Sequence, residues 1–254
     1  MGRVIAVTNQ KGGVAKTTTC VNLGAALALG GKRILIVDID PQGNATSGLG
    51  VNRDRLKRCI YNVLIEGVSL RTIIEHCSAV QGLDTVPATL QLAAAELELV
   101  GVPERELVLK QALAKIRDDY DFILIDCPPS LGLLTLNALG AADSVLIPIQ
   151  CEYYALEGLG HLMGVIQLVQ RRLNPKLVIE GVLLTMFDGR TNLAIQVVEE
   201  VKRHFRKQVY GTIVPRNIRL SEAPSFGKPV VVYDPKCRGA EVYQELAKEV
   251  MGNG

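Results

Sequence analysis

The six cysteines of this chain (20, 59, 77, 127, 151 and 237) form no Cys-x-x-Cys pair. That excludes the common zinc spacings and leaves no ligand set for an iron–sulfur cluster, so free thiols in a reducing compartment are expected. Cys127 reads as a residue filling a small buried site. The three histidines, His76, His161 and His204, are scattered and offer no ligand cluster. No apolar run approaches membrane-spanning length. The chain opens with Met-Gly and passes straight into a strand, without a signal-peptide pattern. Ala6, where Ser or Thr would be needed, argues against myristoylation. Neither sign of charge dominates: 28 Lys and Arg face 26 Asp and Glu, a net of +2. Any nucleic-acid surface must therefore be local.

Apolar residues are plentiful, at 48% of the 254 positions, enough for a large core. Short β-branched runs alternate with longer helical patterns. Strands are expected at Val4–Thr8, Arg33–Ile39, Leu83–Pro87, Phe122–Asp126, Ser144–Pro148, Val178–Thr185, Gly211–Val214 and Val230–Tyr233. Helices are expected near 17–30, 54–66, 89–100, 104–118, 132–142, 155–173, 191–206 and 239–251. Runs such as Ile34-Leu35-Ile36-Val37 and Phe122-Ile123-Leu124-Ile125 are apolar throughout, as in strands buried on both faces. The expected fold is α/β: a doubly wound, mainly parallel sheet flanked by helices on both faces. Gly30-Gly31 reads as a helix C-cap. No linker, repeat or low-complexity segment appears, so residues 1–254 read as one domain.

The first strand runs into Lys11-Gly12-Gly13-Val14-Ala15-Lys16-Thr17-Thr18. Glycines there let the backbone approach phosphates, so that successive N–H groups point at them, and the following helix offers its positive end. Lys16 can reach the β- and γ-phosphates, and the Thr17 hydroxyl can ligate Mg²⁺. The usual Gly-x-x-x-x-Gly-Lys-[Ser/Thr] pattern fails, because Gln10 and Ala15 stand at its glycine positions. The variant Lys-Gly-Gly-x-x-Lys-[Ser/Thr] matches throughout, with Lys11 as a second lysine at the front of the loop.

In such a sheet, ligands sit beyond the carboxyl ends of the strands. Asp126, after four apolar residues, fits a carboxylate holding Mg²⁺ directly or through water. An Asp opening a turn before Pro-Pro is ordinary in isolation, and less so beside a phosphate loop. Asp38 and Asp40 end the second strand. One is placed to approach the magnesium ion from outside its direct ligands, and the other to face the γ-phosphate and position water.

These residues resemble the ParA/MinD class of deviant-Walker P-loop ATPases, most closely the Soj-type chromosome-partitioning proteins. The match is carried by Thr8-Asn9-Gln10-Lys11-Gly12-Gly13, Lys16-Thr17-Thr18, Asp38 to Thr46, Asp126-Cys127-Pro128-Pro129-Ser130, Leu184 to Asp188 and Pro215 to Pro224. The resemblance implies ATP and Mg²⁺ as cofactors and an ATP-dependent homodimer. It implies that Lys11 crosses to the partner subunit's ATP. Gly12, Gly13, Val14, Ala15, Lys16 and Thr17 would hold phosphates in cis, and Thr18 would contact the α-phosphate. Asp40 would be the hydrolysis residue, catalytic together with Lys11 and Lys16, and Pro215 and Asn217 the adenine-contacting loop. Ala15 departs from the family's usual Gly; its Cβ needs a compatible φ beside the expected subunit interface.

The resemblance further implies a cytoplasmic, nucleoid-associated protein that binds double-stranded DNA non-specifically. It would act with a ParB-type partner in chromosome or plasmid segregation and in regulating replication initiation. DNA-contacting arginines of the family fall at Arg190 and Arg219. Residues 202–238 carry nine Lys and Arg against Glu222 and Asp234, a net of +7. A basic segment of that kind suits sequence-independent phosphate binding. Its few aromatics argue against stacking on single strands.

Two other readings compete. A MinD-like membrane-cycling ATPase needs a C-terminal basic amphipathic helix. Residues 239–254 instead carry three Glu and one Lys, and the stripe Val242, Leu246, Val250 suits packing on the sheet. A nucleotide-gated DNA-binding regulator with little turnover is the second alternative.

Overall fold

The computed structural model describes residues 1–152 and 157–252, the side chains of 157–159 excepted. Among these, eight strands form one sheet: β1 (Arg3–Val7), β2 (Ile34–Asp38), β3 (Glu75–His76), β4 (Leu83–Val86), β5 (Phe122–Asp126), β6 (Ser144–Gln150), β7 (Val178–Phe187) and β8 (Val209–Pro215). Their order is β3-β4-β2-β5-β1-β6-β7-β8. Every neighbouring pair is parallel except β3–β4.

The continuous apolar runs follow from burial on both faces. Successive side chains on a strand point to opposite sides. Val4, Ala6, Leu35, Val37, Ile123 and Ile125 enter one core. Ile5, Val7, Ile34, Ile36, Phe122 and Leu124 enter the other. Helix Lys16–Leu29 covers the second core and packs close to the sheet. A Cβ on its Gly24 would lie 2.8 Å from Ile36 Cδ1. The helix ends as the Gly30-Gly31 pair predicts. The Gly30 N–H donates to Ala26 O, and Gly31 adopts a φ of 83°.

The C-terminal helix Arg238–Gly252 lies against helix Lys16–Leu29 and β8. Its Val242, Leu246 and Val250 are fully buried, so the stripe is spent in packing. From the same helix, the Glu249 carboxylate accepts hydrogen bonds from the Gly211 and Thr212 N–H groups and from the Thr212 hydroxyl. No described helix is long and apolar enough to cross a membrane.

Three expectations need correction. Val230–Tyr233 is a short helix rather than a strand. Pro229 opens it, and the Val230 N–H donates to Asn22 Oδ1 at 2.6 Å, so the β-branched run packs beside the first helix rather than extending the sheet past β8. The helix expected over 54–66 is a turn at Arg53–Arg55 followed by helix Ile60–Glu66, because Cys59 is extended between them. The one expected over 104–118 shortens to Val108–Ala114, since Glu104 takes a φ of 51°. Helix Glu157–Arg172 matches the stretch 155–173, whose first two residues lie outside the described residues.

Candidate nucleotide site

β1, β2 and β5 are neighbours in the sheet, and their carboxyl ends bring three sequence features together. The loop after β1 is shaped by two left-handed residues, Gly13 at φ 75° and Ala15 at φ 69°, ψ 34°. Alternation of left- and right-handed backbone turns successive N–H groups into one concavity, an anion cradle. No atom would obstruct a Cβ at Gly12 or Gly13, so Gly13 is required by its φ rather than by crowding. Ala15 takes the same conformation without that freedom.

The loop is braced from outside. The Thr185 hydroxyl donates to Val14 O at 3.1 Å. Asn9 donates to Pro148 O at 2.8 Å and accepts from the Lys11 N–H at 3.0 Å. Lys16 folds back so that Nζ donates to Lys11 O at 3.0 Å. Burial lowers the Lys16 pKa, and the nearby Asp126 charge opposes that shift.

The carboxylates are deeply placed. Asp38 and Asp126 are register partners on β2 and β5, and both are fully buried. Thr17 Oγ1 donates to Asp126 Oδ2 at 2.7 Å, while Asp126 Oδ1 is buried without a partner. Burial, reinforced by Asp38, pushes the Asp126 carboxyl well above the usual range. An orphaned carboxylate oxygen beside a hydroxyl, at the foot of a phosphate cradle, fits a magnesium ion shared with phosphates. Both oxygens of Asp38 are engaged: Oδ2 accepts from the Thr46 N–H at 2.8 Å and the Thr46 hydroxyl at 2.6 Å, and Oδ1 from the Asp40 N–H at 3.2 Å. Burial nevertheless raises its pKa to about 6. Asp40 lies past the end of β2, where its Oδ1 accepts from the Gln42 N–H at 2.9 Å and sets the turn.

A cleft of about 390 Å³ gathers Gly12, Gly13, Ala15, Lys16, Thr17, Thr18 and Asp40, with Pro129 opposite. A neighbouring cavity of about 380 Å³ shares Ala15, Thr18 and Met186 and is lined further by Pro215, Asn217 and Tyr243. The two cavities thus adjoin across the same three residues. Asn217 Oδ1 caps helix Ile218–Glu222 by accepting from the Arg219 N–H at 2.9 Å.

Lys11 is absent from both linings. Its Nζ lies 3.9 Å from the Glu152 carboxylate, which Arg216 also approaches at 3.6 Å. Arg190 and Arg219 follow the carboxyl ends of neighbouring strands β7 and β8, outside both cavities. Each is ion-paired: Arg190 holds Asp188 through Nε and a terminal nitrogen, and Arg219 reaches Glu222 at 2.8 Å and Asp234 at 3.2 Å. The Arg190 pair holds the Asp188 carboxyl far below its ordinary range. The Cys127 thiol is buried, as its small-site reading expects, and burial pushes its pKa up.

Sequence reasoning assigned no role to Thr46, Thr185, Met186 or Glu152. Thr46 and Thr185 fall within matched runs, but the partners of their hydroxyls are set only by the fold. Met186, at a φ of 52°, carries a backbone signal invisible in its side chain.

The AAA-domain family matches residues 2–179. Over its full 254 residues the chain is 63% identical to the sporulation initiation inhibitor protein Soj of Bacillus subtilis, covering 100% of both. It is 57% identical over 251 residues to the chromosome partitioning protein ParA of Myxococcus xanthus, covering 99% of this chain and 88% of that one. Among solved structures it resembles a cobyrinic acid a,c-diamide synthase from Mycobacterium smegmatis with bound ATP analogue and magnesium. That likeness has a TM-score of 0.87 at 40% identity and covers 99% of this chain and 95% of the other.

Proposed function

This chain belongs to the ParA/Soj family of partitioning ATPases, and we propose that it works as a nucleotide-switched dimer that grips DNA without sequence preference. In this reading residues 1–254 act as one ATPase domain, in the cytoplasm and on the nucleoid, and a ParB-type partner stimulates hydrolysis and releases the dimer from DNA. The observation that carries the reading is the placement of Lys11. A phosphate-loop lysine that lines neither cavity of its own chain, and holds Glu152 only at 3.9 Å, can exchange that partner for a second chain's nucleotide.

The remaining roles follow from position. Backbone N–H groups of residues 12–16 and the Lys16 ammonium bind phosphates, and Thr18 lies where phosphate and base cavities meet. Thr17 and Asp126 would hold Mg²⁺, which supplies charge neutralisation at the phosphates. Asp38 fixes the Asp40 turn and the Thr46 hydroxyl. Asp40 then orients the attacking water at the cleft wall. Pro215 and Asn217 would contact adenine. Arg190 and Arg219 would exchange their acidic partners for DNA phosphates, a swap of exposed ion pairs that costs little.

The buried stripe of the C-terminal helix weighs against the membrane-cycling alternative. Turnover measured with and without duplex DNA and the partner tests the proposal. Stimulation by both together is expected, and hydrolysis unmoved by the pair would refute the partitioning switch in favour of a gated regulator. Asp40→Ala should retain ATP-dependent dimers by sedimentation while losing hydrolysis. Normal turnover in that variant would show that Asp40 does not orient the water.

A further inference from the structure

We infer that Glu96 is a positioning residue for hydrolysis, holding in place the loop that runs from Asp126 to Gly132 along the nucleotide cleft; the inference rests on the ATPase reading of that cleft. Helix Leu133–Ala141 follows this loop. Its N-cap, Gly132, provides no side-chain cap, and its first turn contains no acid. Its amino end would be left with orphan N–H groups and an uncompensated positive end. The compensation comes from another element. The Glu96 carboxylate, on helix Leu92–Glu98, reaches across, and the Leu134 N–H donates to its Oε1 at 3.4 Å.

Gly132 supplies the second observation. Its φ of −83° and ψ of −166° are extended values open to any residue. Glycine is not there for its backbone. A Cβ at this position would lie 2.2 Å from Glu96 Oε1 and 2.6 Å from Oε2. The absent side chain makes room for the carboxylate.

Both ends of this contact are anchored near the chemistry. The Thr135 hydroxyl donates to Ser130 O at 2.6 Å, so the loop follows the helix. Two successive prolines, 128 and 129, stiffen it, and Pro129 lines the cleft with Asp40 and Lys16. On the other side, Leu92, Ala95 and Leu99 are fully buried, and the Tyr61 hydroxyl donates to Glu98 at 2.9 Å. The segment leading into that helix is tied to β2: Thr46 Oγ1 accepts from the Ala88 N–H at 2.9 Å while donating to Asp38. Glu96 thus closes a circuit from the Asp38 side of the cleft to the Asp126 side.

Neither Glu96 nor Gly132 touches the phosphate loop, so their loss should act on the hydrolysis step rather than on nucleotide affinity. Glu96→Ala is expected to lower partner-stimulated kcat by on the order of tenfold or more, as small misplacements of reacting groups do, with KM for ATP essentially unchanged. Glu96→Gln keeps an oxygen for the Leu134 N–H and should recover most of the rate. Gly132→Ala should expel the carboxylate and reproduce the Glu96→Ala defect. The double variant Glu96→Ala, Gly132→Ala should be no worse than either single one, because the alanine then has space. Unchanged kcat in Glu96→Ala overturns the inference. So does a kcat loss matched by a loss of ATP binding, or full additivity in the double variant. A wild-type chain that neither binds nor hydrolyses ATP would overturn the underlying ATPase reading instead.

Discussion

Replacing Asp126 with Asn should make the nucleotide-free protein more stable near neutral pH. Two carboxyls share one buried register position in the sheet, and burial dominates the upward shift of each. An acid whose folded pKa is raised stabilises the fold fully below its unfolded pKa and loses that contribution as pH rises through the folded value. For Asp38 the move from 3.8 to about 6 amounts to on the order of 3 kcal/mol, present at acid pH and gone above the folded pKa. Asp126 is shifted in the same direction. Each such proton tilts stability by at most about 1.4 kcal/mol per pH unit, so Asp126→Asn should gain on wild type as the pH rises from acid towards neutral. Urea denaturation with EDTA and without nucleotide, repeated from pH 4.5 to 8, reads the effect directly. With Mg²⁺ and a non-hydrolysable ATP analogue the order should invert, because only wild type then gains binding stabilisation. A variant less stable than wild type at pH 7.5 in EDTA, or pH profiles that run parallel, would refute the burial argument.

Lys16→Ala should abolish ATP binding in a fluorescent-nucleotide titration, because the ammonium at the cradle is lost; retained affinity would contradict its phosphate role. Arg219→Ala should weaken DNA binding equally across sequences and reduce the salt slope by about one, with ATP affinity unchanged; an unaltered slope would mark Arg219 as structural, tied to Glu222 and Asp234. Ala15→Gly should relieve a left-handed alanine. That conformation costs about 1–2 kcal/mol, partly offset by glycine's unfolded-state entropy of about 0.4–1 kcal/mol. Tm should therefore rise by a few degrees, and a fall would show that Ala15 packs favourably where it stands.

The sheet was readable because its strands are buried on both faces, and burial on both faces writes uninterrupted apolar runs such as Ile123-Leu124-Ile125. The same rule misled at Val230–Tyr233, where a β-branched run is buried against a helix rather than in a ladder. Periodicity cannot tell those environments apart. That the loop after β1, Asp126 and Asp40 would meet at one end of the sheet was legible, because each follows an uninterrupted apolar strand. The roles of Thr46, Thr185 and Glu152 were not, since their partners are distant in the chain or fixed only by folding. The sequence raised the need for a compatible φ at Ala15, but its left-handed φ of 69° is one that favours glycine, a backbone strain that residue type alone does not reveal.

The two edges of the sheet bear on how this protein associates. β3 is two residues long, both exposed and polar, too short to template another strand. At the opposite edge, Glu249 occupies two consecutive amides of β8 and places a negative charge where a foreign strand would have to pair. Short or charged edges suppress the non-specific strand pairing that leads to aggregation. The proposed switch, assembling and coming apart repeatedly at high local concentration on a polymer, would need its adhesive surfaces confined to the face that a ligand controls. With both edges blunted, the sheet contributes rigidity without offering a competing, irreversible route to self-association.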